Sequence, residues 1–139
     1  IAGETPCYEV YADEKVVAFF AAAPLIKGHT LVVPREHHNS CTTLDESTLG
    51  QMMERGGKIG AALIRAGAAD SFTLLLSNGK NAGQVVRHVY LNVIPRYAED
   101  GLIFRERSVQ CAEDDKVLLQ KKIRTKLYEH DERRIQGRN

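Results

Sequence analysis

From Gln84 to Arg96 the chain reads Gln-Val-Val-Arg-His-Val-Tyr-Leu-Asn-Val-Ile-Pro-Arg, polar groups alternating with aliphatics at the period of a strand. On a strand His88, Tyr90 and Asn92 share one face. The pattern predicts a strand over Val86–Ile94, ended by Pro95 and preceded by a polar, glycine-containing loop, Ser77–Gln84. A second β-prone run, Phe72–Leu76, lies on the other side of that loop, so the two pair naturally as antiparallel neighbours. Any fold for this chain must accommodate that pair.

The remaining elements fit a sheet with helices. Tyr8–Tyr11 and Val16–Phe20 are short β-prone runs around the polar turn Ala12–Lys15 and read as a hairpin. Pro24 and Gly28 break the chain before Thr30–Val33 resumes a strand that Pro34 ends. Thr43-Leu-Asp-Glu46 has capping-box spacing, which predicts a helix from about residue 45 to residue 65. Leu49, Met52, Met53, Ile59, Leu63 and Ile64 give that helix a broad apolar stripe. Gly56, Gly57 and Gly60 each cost about 1 kcal/mol relative to alanine inside it. Either another backbone approaches closely at Gly56 and Gly60, for instance across a dimer, or the middle of the helix is weak. Leu102–Phe104 is a short apolar run, and residues 113 to about 128 carry Val117, Leu118, Ile123 and Leu127 amid charges as an amphipathic helix does, before a frayed polar tail from His130. The expected organisation is α+β: residues 1–110 as one domain with about five antiparallel strands and one main helix, and residues 111–139 as an amphipathic helix and tail.

Composition excludes more than it identifies. A 43% hydrophobic content suits a globular chain with a real core, and a net charge of +1 gives no global case for nucleic acid or membrane. No apolar run approaches the roughly 20 residues that span a bilayer. Cys7, Cys41 and Cys111 are odd in number and scattered, which suits reduced thiols and an intracellular compartment, cytoplasmic or mitochondrial.

Preceded by Gly79, Ala82, Gly83 and Gln84, the strand of His88, Tyr90 and Asn92 resembles the signature of the histidine-triad (HIT) superfamily, in which three histidines alternate with hydrophobic residues after a glycine-containing phosphate loop. The block from Pro24 to Pro34 and the opening Ile1–Tyr11 resemble the family's other blocks in the same order, and the opening matches it just after the place where many members carry a Cys-x-x-Cys pair. The resemblance implies a HIT-like fold and, with Ile1 as the first residue, the expectation that an upstream segment is processed or unseen. It also implies a nucleotide site. Its first triad position is His88, its nucleophile position is Tyr90 and its last is Asn92; His29, Ser77, Asn78, Gly83, Gln84, His88 and Asn92 are the positions that would hold nucleotide or phosphate.

The departures weigh against catalysis. A tyrosine hydroxyl with pKa about 10 is about one part in a thousand ionised at pH 7, and losing a nucleophile that acts within a concerted unit costs roughly 10⁴ to 10⁶ in turnover. Asn92 can still donate but cannot carry a proton. Ala21–Ala23 offers no carboxylate to a ribose, and Ser77 and Val85 replace polar contacts of the family. Zinc in relatives uses two upstream cysteines with the positions of His37 and His88, so no metal or other cofactor is expected here. The resulting expectation is a catalytically degenerate domain, with no catalytic residue, acting as a structural or interaction subunit with a protein partner or as a homodimer. The alternatives are a nucleotide hydrolase or transferase of altered chemistry, using Tyr90 or another histidine, and a noncatalytic nucleotide sensor. Lys121, Lys122, Arg124 and Lys126, with Arg133 and Arg134 beyond them, would contact RNA or a phosphate backbone, but neighbouring Glu129, Asp131 and Glu132 fit a solvated helix face or a helix seated in a protein groove.

Overall fold

The computed structural model describes residues 7–103 and 108–137, with the side chains of residues 134 and 135 excepted. Residues 1–6 of the opening block, the end of the Leu102–Phe104 run and the Arg134 side chain lie outside that set. Two compact units make up the chain, Ile1–Leu102 and Ile103–Asn139.

The first unit is α+β. Strands β1 (Glu9–Ala12), β2 (Val16–Phe20), β3 (Thr30–Pro34), β4 (Ser71–Leu75) and β5 (Leu91–Arg96) form one sheet in the order β1-β2-β3-β5-β4, with every pairing antiparallel. The β1–β2 turn is fixed by Asp13, whose Oδ1 accepts from the N–H groups of Lys15 at 2.8 Å and Val16 at 2.9 Å. Its Oδ2 accepts from Tyr11 Oη at 2.7 Å and Gln51 Nε2 at 2.6 Å, with Arg55 Nε at 3.8 Å. The Val16 N–H, followed by the Tyr11 hydroxyl, holds this carboxyl well below the usual carboxylate range. The turn is thereby laced to helix α1 (Glu46–Arg65).

Strand parity divides the sheet into two faces. Val16, Ala18, Val32, Leu91 and Val93 bury on one, against Met52 and Ile59 of α1. Val17, Val33 and Tyr90 cluster on the other, with Phe19 and Leu31 partly buried beside them.

Three sequence expectations need correction within this unit. The N-cap of α1 is Asp45, accepting from Thr48 N at 3.0 Å, rather than Thr43. Thr43 closes a 3₁₀ turn, Cys41–Thr43, capped by Ser40, and its hydroxyl is spent on Ser40 O and His38 Nδ1. Gly56 and Gly60 are used inside the chain. A Cβ at Gly56 would lie 2.7 Å from Leu91 Cδ2 and one at Gly60 2.5 Å from the Phe72 ring, so the sheet's own side chains occupy the space that another backbone was expected to take. The signature strand runs over Leu91–Arg96 instead of Val86–Ile94, and Pro95 sits within it, paired with Phe72. Residues 84–90 cannot extend the β3–β5 ladder, because Pro34 has no N–H and its carbonyl accepts from the His88 ring at 3.1 Å.

In the second unit α2 spans Glu113–Gln136, so the helix expected to end near residue 128 continues through the tail expected to fray. Glu113, Asp114 and Asp115 in its first turn oppose the helix dipole. Val117, Leu118, Ile123 and Leu127 stand exposed. Val117–Leu119 are consecutive and point around the helix, and Lys122 and Lys126 take positions one and two turns on from Leu118 and Leu119. Among the described residues no helix is long and apolar enough to cross a membrane.

Candidate functional site

The face of the sheet opposite α1 opens into a cavity of about 780 Å³, within the roughly 300–1,000 Å³ typical of small-molecule sites. Alternation builds it. Along β3 the odd-numbered residues Leu31 and Val33 line it, with His29 before the strand and Arg35 and His37 after it. β2 contributes Phe19 and leads into Ala21–Ala23, while Leu75, Ser77 and Asn92 come from the β4–β5 side. Ala82, Gly83, Val85 and Val86 border it from the glycine loop. His88 and Tyr90 line it as well, so His88, Tyr90 and Asn92 do address one side, although only Asn92 lies in β5.

A buried polar chain fixes one end. His29 Nδ1 accepts from Leu25 N at 3.1 Å, which assigns the ring proton to Nε2, and Nε2 donates to Asn92 Oδ1 at 2.8 Å. Asn92 Nδ2 donates to Leu75 O at 2.9 Å, leaving one amide hydrogen uncommitted. At 5% and 8% exposure both side chains require those partners, since a buried polar group left unpaired costs about 1–3 kcal/mol.

At the other end His88 Nε2 donates to Pro34 O, so Nδ1 carries the lone pair, and Nδ1 is buried without a hydrogen-bond partner. The His37 ring stacks on it, centroids 5.1 Å apart and planes 10° from parallel. Burial first, then the neighbouring His37 charge, pushes the His88 pKa below its ordinary value, which keeps this imidazole neutral. Between the two ends Tyr90 packs its ring into the floor with Val17 and Val33, and its hydroxyl accepts a long bond from Val85 N at 3.4 Å. The tyrosine forms a wall of the pocket and does not plug it.

Of the residues expected to hold nucleotide, His29, Ser77, Gly83, His88 and Asn92 meet at this cavity. Asn78 and Gln84 do not. Asn78 Oδ1 accepts from Cys41 N at 2.8 Å, and the Gln84 amide spans from Gly79 N at 2.8 Å to Asn39 O at 2.6 Å. The backbone N–H groups of the glycine loop are committed internally too. Gly79 N donates to Gln84 Oε1, Gln84 N and Ala82 N to Gly79 O, and Gly83 N to Lys80 O. Ser77 keeps a hydroxyl without a hydrogen-bond partner among the described contacts, and no lining residue is Asp or Glu. Sequence reasoning missed Arg35, Leu31, Val33, Phe19 and Leu75; the parity of 29, 31, 33 and 35 along β3 was the available signal. Among the described residues no three His, Cys, Asp or Glu side chains gather as metal ligands do.

Comparison with known proteins bears on what such a pocket does. The chain is 35% identical to the adenylylsulfatase HINT3 of Arabidopsis thaliana over 73% of its own length and 52% of the plant protein, so it spans about half of that relative. It is 29% identical to the adenosine 5′-monophosphoramidase hnt1 of Schizosaccharomyces pombe, covering 72% of each chain. Its structure superposes on the crystal structure of a HIT family member from Bacillus subtilis with TM-score 0.80 and 30% identity, covering 89% of this chain and 90% of that one. The expectation of a catalytically degenerate structural or interaction subunit is corrected by these findings, because both relatives with named activities are enzymes acting on nucleotides. The departures at positions 90, 92, 21–23, 77 and 85 were read as loss of the site, yet the fold keeps its pocket open. The HIT domain model matches residues 2–99, most of the chain, and with the shared sheet topology this establishes that the chain belongs to the HIT family.

Proposed function

We propose that the chain is a nucleotide hydrolase of altered chemistry, cleaving the bond between a nucleoside 5′-phosphoryl group and its substituent, with Tyr90 in place of the histidine nucleophile. The observation that carries this reading is an open cavity whose described lining brings Tyr90 together with His88, an imidazole that burial holds below its ordinary pKa, and with no carboxylate. Phe19, Leu25, Leu31 and Ala21–Ala23 give an apolar wall for the base and sugar. The His29–Asn92 pair, with its uncommitted amide hydrogen, and the Ser77 hydroxyl supply donors to phosphoryl oxygens.

A neutral phenol needs a base before it attacks phosphorus. His88 is that base: its imidazole is neutral, Nδ1 has no competing partner, and it lies two residues from Tyr90 on the pocket side. Catalytic hydrogen bonds commonly tighten only in the substrate complex, and in this reading the Tyr90 hydroxyl meets Nδ1 there. Tyr90 Oη then bonds to phosphorus, its proton passes to Nδ1, and the substituent departs with the electron pair of its bond, a leaving amine taking the Nδ1 proton as it goes. Water resolves the nucleotidyl-tyrosine and restores the phenol.

Incubation with adenosine 5′-phosphoramidate and with adenylyl sulfate, following AMP release, tests the reading. Turnover in the unaltered chain and a loss of about 10³-fold or more in Tyr90→Phe are expected, in line with the removal of a nucleophile. No AMP from either compound refutes hydrolysis, and equal rates in Tyr90→Phe refute the role of the tyrosine.

A further inference from the structure

The pocket holds one cation that the proposed reaction leaves unused. Arg35 lines the cavity just after β3. Its position is set by the hairpin: its N–H donates to Lys15 O at 2.8 Å and its Nε to Asp13 O at 2.6 Å. That anchorage consumes Nε and leaves the two terminal nitrogens of the guanidinium. No carboxylate among the described residues pairs with it. Of the two acidic residues of the same turn, Asp13 has its carboxylate filled by Tyr11, Gln51 and two backbone N–H groups, and no described ion pair joins Glu14 to Arg35. Among the described lining residues no Asp or Glu offsets the charge.

The β2–β3 register says where along the pocket this charge lies. Phe20 pairs with Thr30 at the end that leads into Ala21–Ala23 and His29, and Val16 pairs with Pro34 at the end that leads into Arg35. His88 marks the Arg35 end, since its ring bonds the carbonyl of Pro34. A nucleoside against the apolar end and a phosphorus at Tyr90 therefore direct the departing substituent toward Arg35.

We propose that Arg35 is a specificity residue that clamps an anionic leaving group, so that the preferred substrates are mixed anhydrides of a nucleoside 5′-phosphate with sulfate or phosphate rather than amides with an uncharged amine. This rests on the hydrolase reading above. In the first step the Tyr90 O–P bond forms, the P–O bond to the leaving oxyanion breaks, and the pair goes to that oxyanion. In the second, water adds to phosphorus and the Tyr90 O–P bond breaks. The balance is one anhydride and one water giving a nucleoside monophosphate, an oxyanion and a proton. A planar guanidinium suits this task because its paired N–H groups match two oxygens of a tetrahedral oxyanion.

The test compares Arg35→Gln and Arg35→Lys with the unaltered chain on adenylyl sulfate and adenosine 5′-phosphoramidate, and by calorimetric titration with AMP and with ADP supplied as its non-hydrolysable α,β-methylene analogue. The glutamine variant should lose about tenfold in kcat/KM for adenylyl sulfate, in keeping with a charge-assisted hydrogen bond, and change less than about twofold for the phosphoramidate. Lysine should restore part of the loss, and ADP should bind the unaltered chain more tightly than AMP, a preference the glutamine variant abolishes. Sulfate and phosphate leaving groups are told apart by the adenylyl sulfate and ADP arms. An equal fall on both substrates, or no preference for ADP, overturns the assignment. Turnover of both substrates with Arg35→Gln unaffected overturns it while leaving the hydrolase reading in place. An Arg35-dependent preference for ADP without turnover supports the clamp and refutes the hydrolase, whereas no binding of either nucleotide overturns both.

Discussion

The two faces of the sheet are made by the same strands and do opposite things. On the α1 face Val16, Val32, Leu91 and Val93 are fully buried, and glycines at positions 56 and 60 let the helix settle onto Leu91 and Phe72. On the other face the alternate residues Val17, Val33 and Tyr90 back a cavity, and the buried polar groups His29 and Asn92 satisfy each other there. Close packing on one side secures the strands, so the other side can keep open volume and unpaired polar atoms. The pocket's geometry is borrowed from a core that never touches the ligand.

The sharpest way to break that division is Met52→Ala. Met52 is fully buried on α1, and its truncation should cost about 2–5 kcal/mol. A denaturant titration should read the loss, while AMP affinity of the molecules that remain folded stays within about twofold. Next comes Gly60→Ala. The added methyl collides with the Phe72 ring, and the strain of overpacking, about 1–3 kcal/mol, outweighs the gain of up to about 1 kcal/mol in helix propensity. Gly57→Ala, which meets nothing within 4 Å, should stabilise by up to about 1 kcal/mol in the same assay. Opposite signs three residues apart would place the contact on the sheet side of the helix; a gain at Gly60 would deny it. Tyr90→Phe on the pocket face should move stability by less than about 1 kcal/mol, because the bond it loses is long, even as turnover collapses.

The smallest effect is in pH. The general base must be neutral, and burial and the His37 charge hold the His88 pKa below 6.5. The kcat/KM profile should therefore be flat at neutral pH and fall only as pH drops through that depressed value. His37→Ala, which removes the stacked like-charged ring, should move this acid limb upward. An acid limb above 6.5 in the unaltered chain would exclude His88 as the base.

Much of this fold was legible because period-2 and period-3.6 patterns report which side chains face a core. β2 emerged with its observed bounds and α1 to within a residue, since Val16–Phe20 and the Leu49–Ile64 stripe are local signals. The strand carrying Tyr90 was drawn too long, because residues facing a pocket alternate as residues in a ladder do. Only the missing N–H of Pro34 and the bond its carbonyl accepts from the His88 ring separate the two cases. Thr43 and Asp45 both offer caps to the same helix, and the competing 3₁₀ turn that claims Thr43 depends on Ser40 and His38.

The site was readable in part for a similar reason. His29, Ser77, Gly83, His88 and Asn92 reach the cavity, whereas Asn78 and Gln84 carry the right functional groups but spend them on loop backbone across long sequence separations. Arg35 belongs to no motif in the sequence, and it is the fold that brings it to the cavity just after β3. The departures at positions 90, 92, 21–23, 77 and 85 all read as lost family chemistry, and a lost imidazole is not the same as a lost site.

The glycine loop has a thermodynamic consequence for any phosphorylated ligand. Gln84 ties Gly79 to Asn39, Asn78 ties the loop's start to Cys41, and four of its backbone N–H groups are already engaged. Binding therefore orders no disordered segment, and little conformational entropy is surrendered when the pocket fills. The amides of Gly79, Ala82, Gly83 and Gln84 should exchange slowly with deuterated solvent before any nucleotide arrives, and at nearly the same rate afterwards.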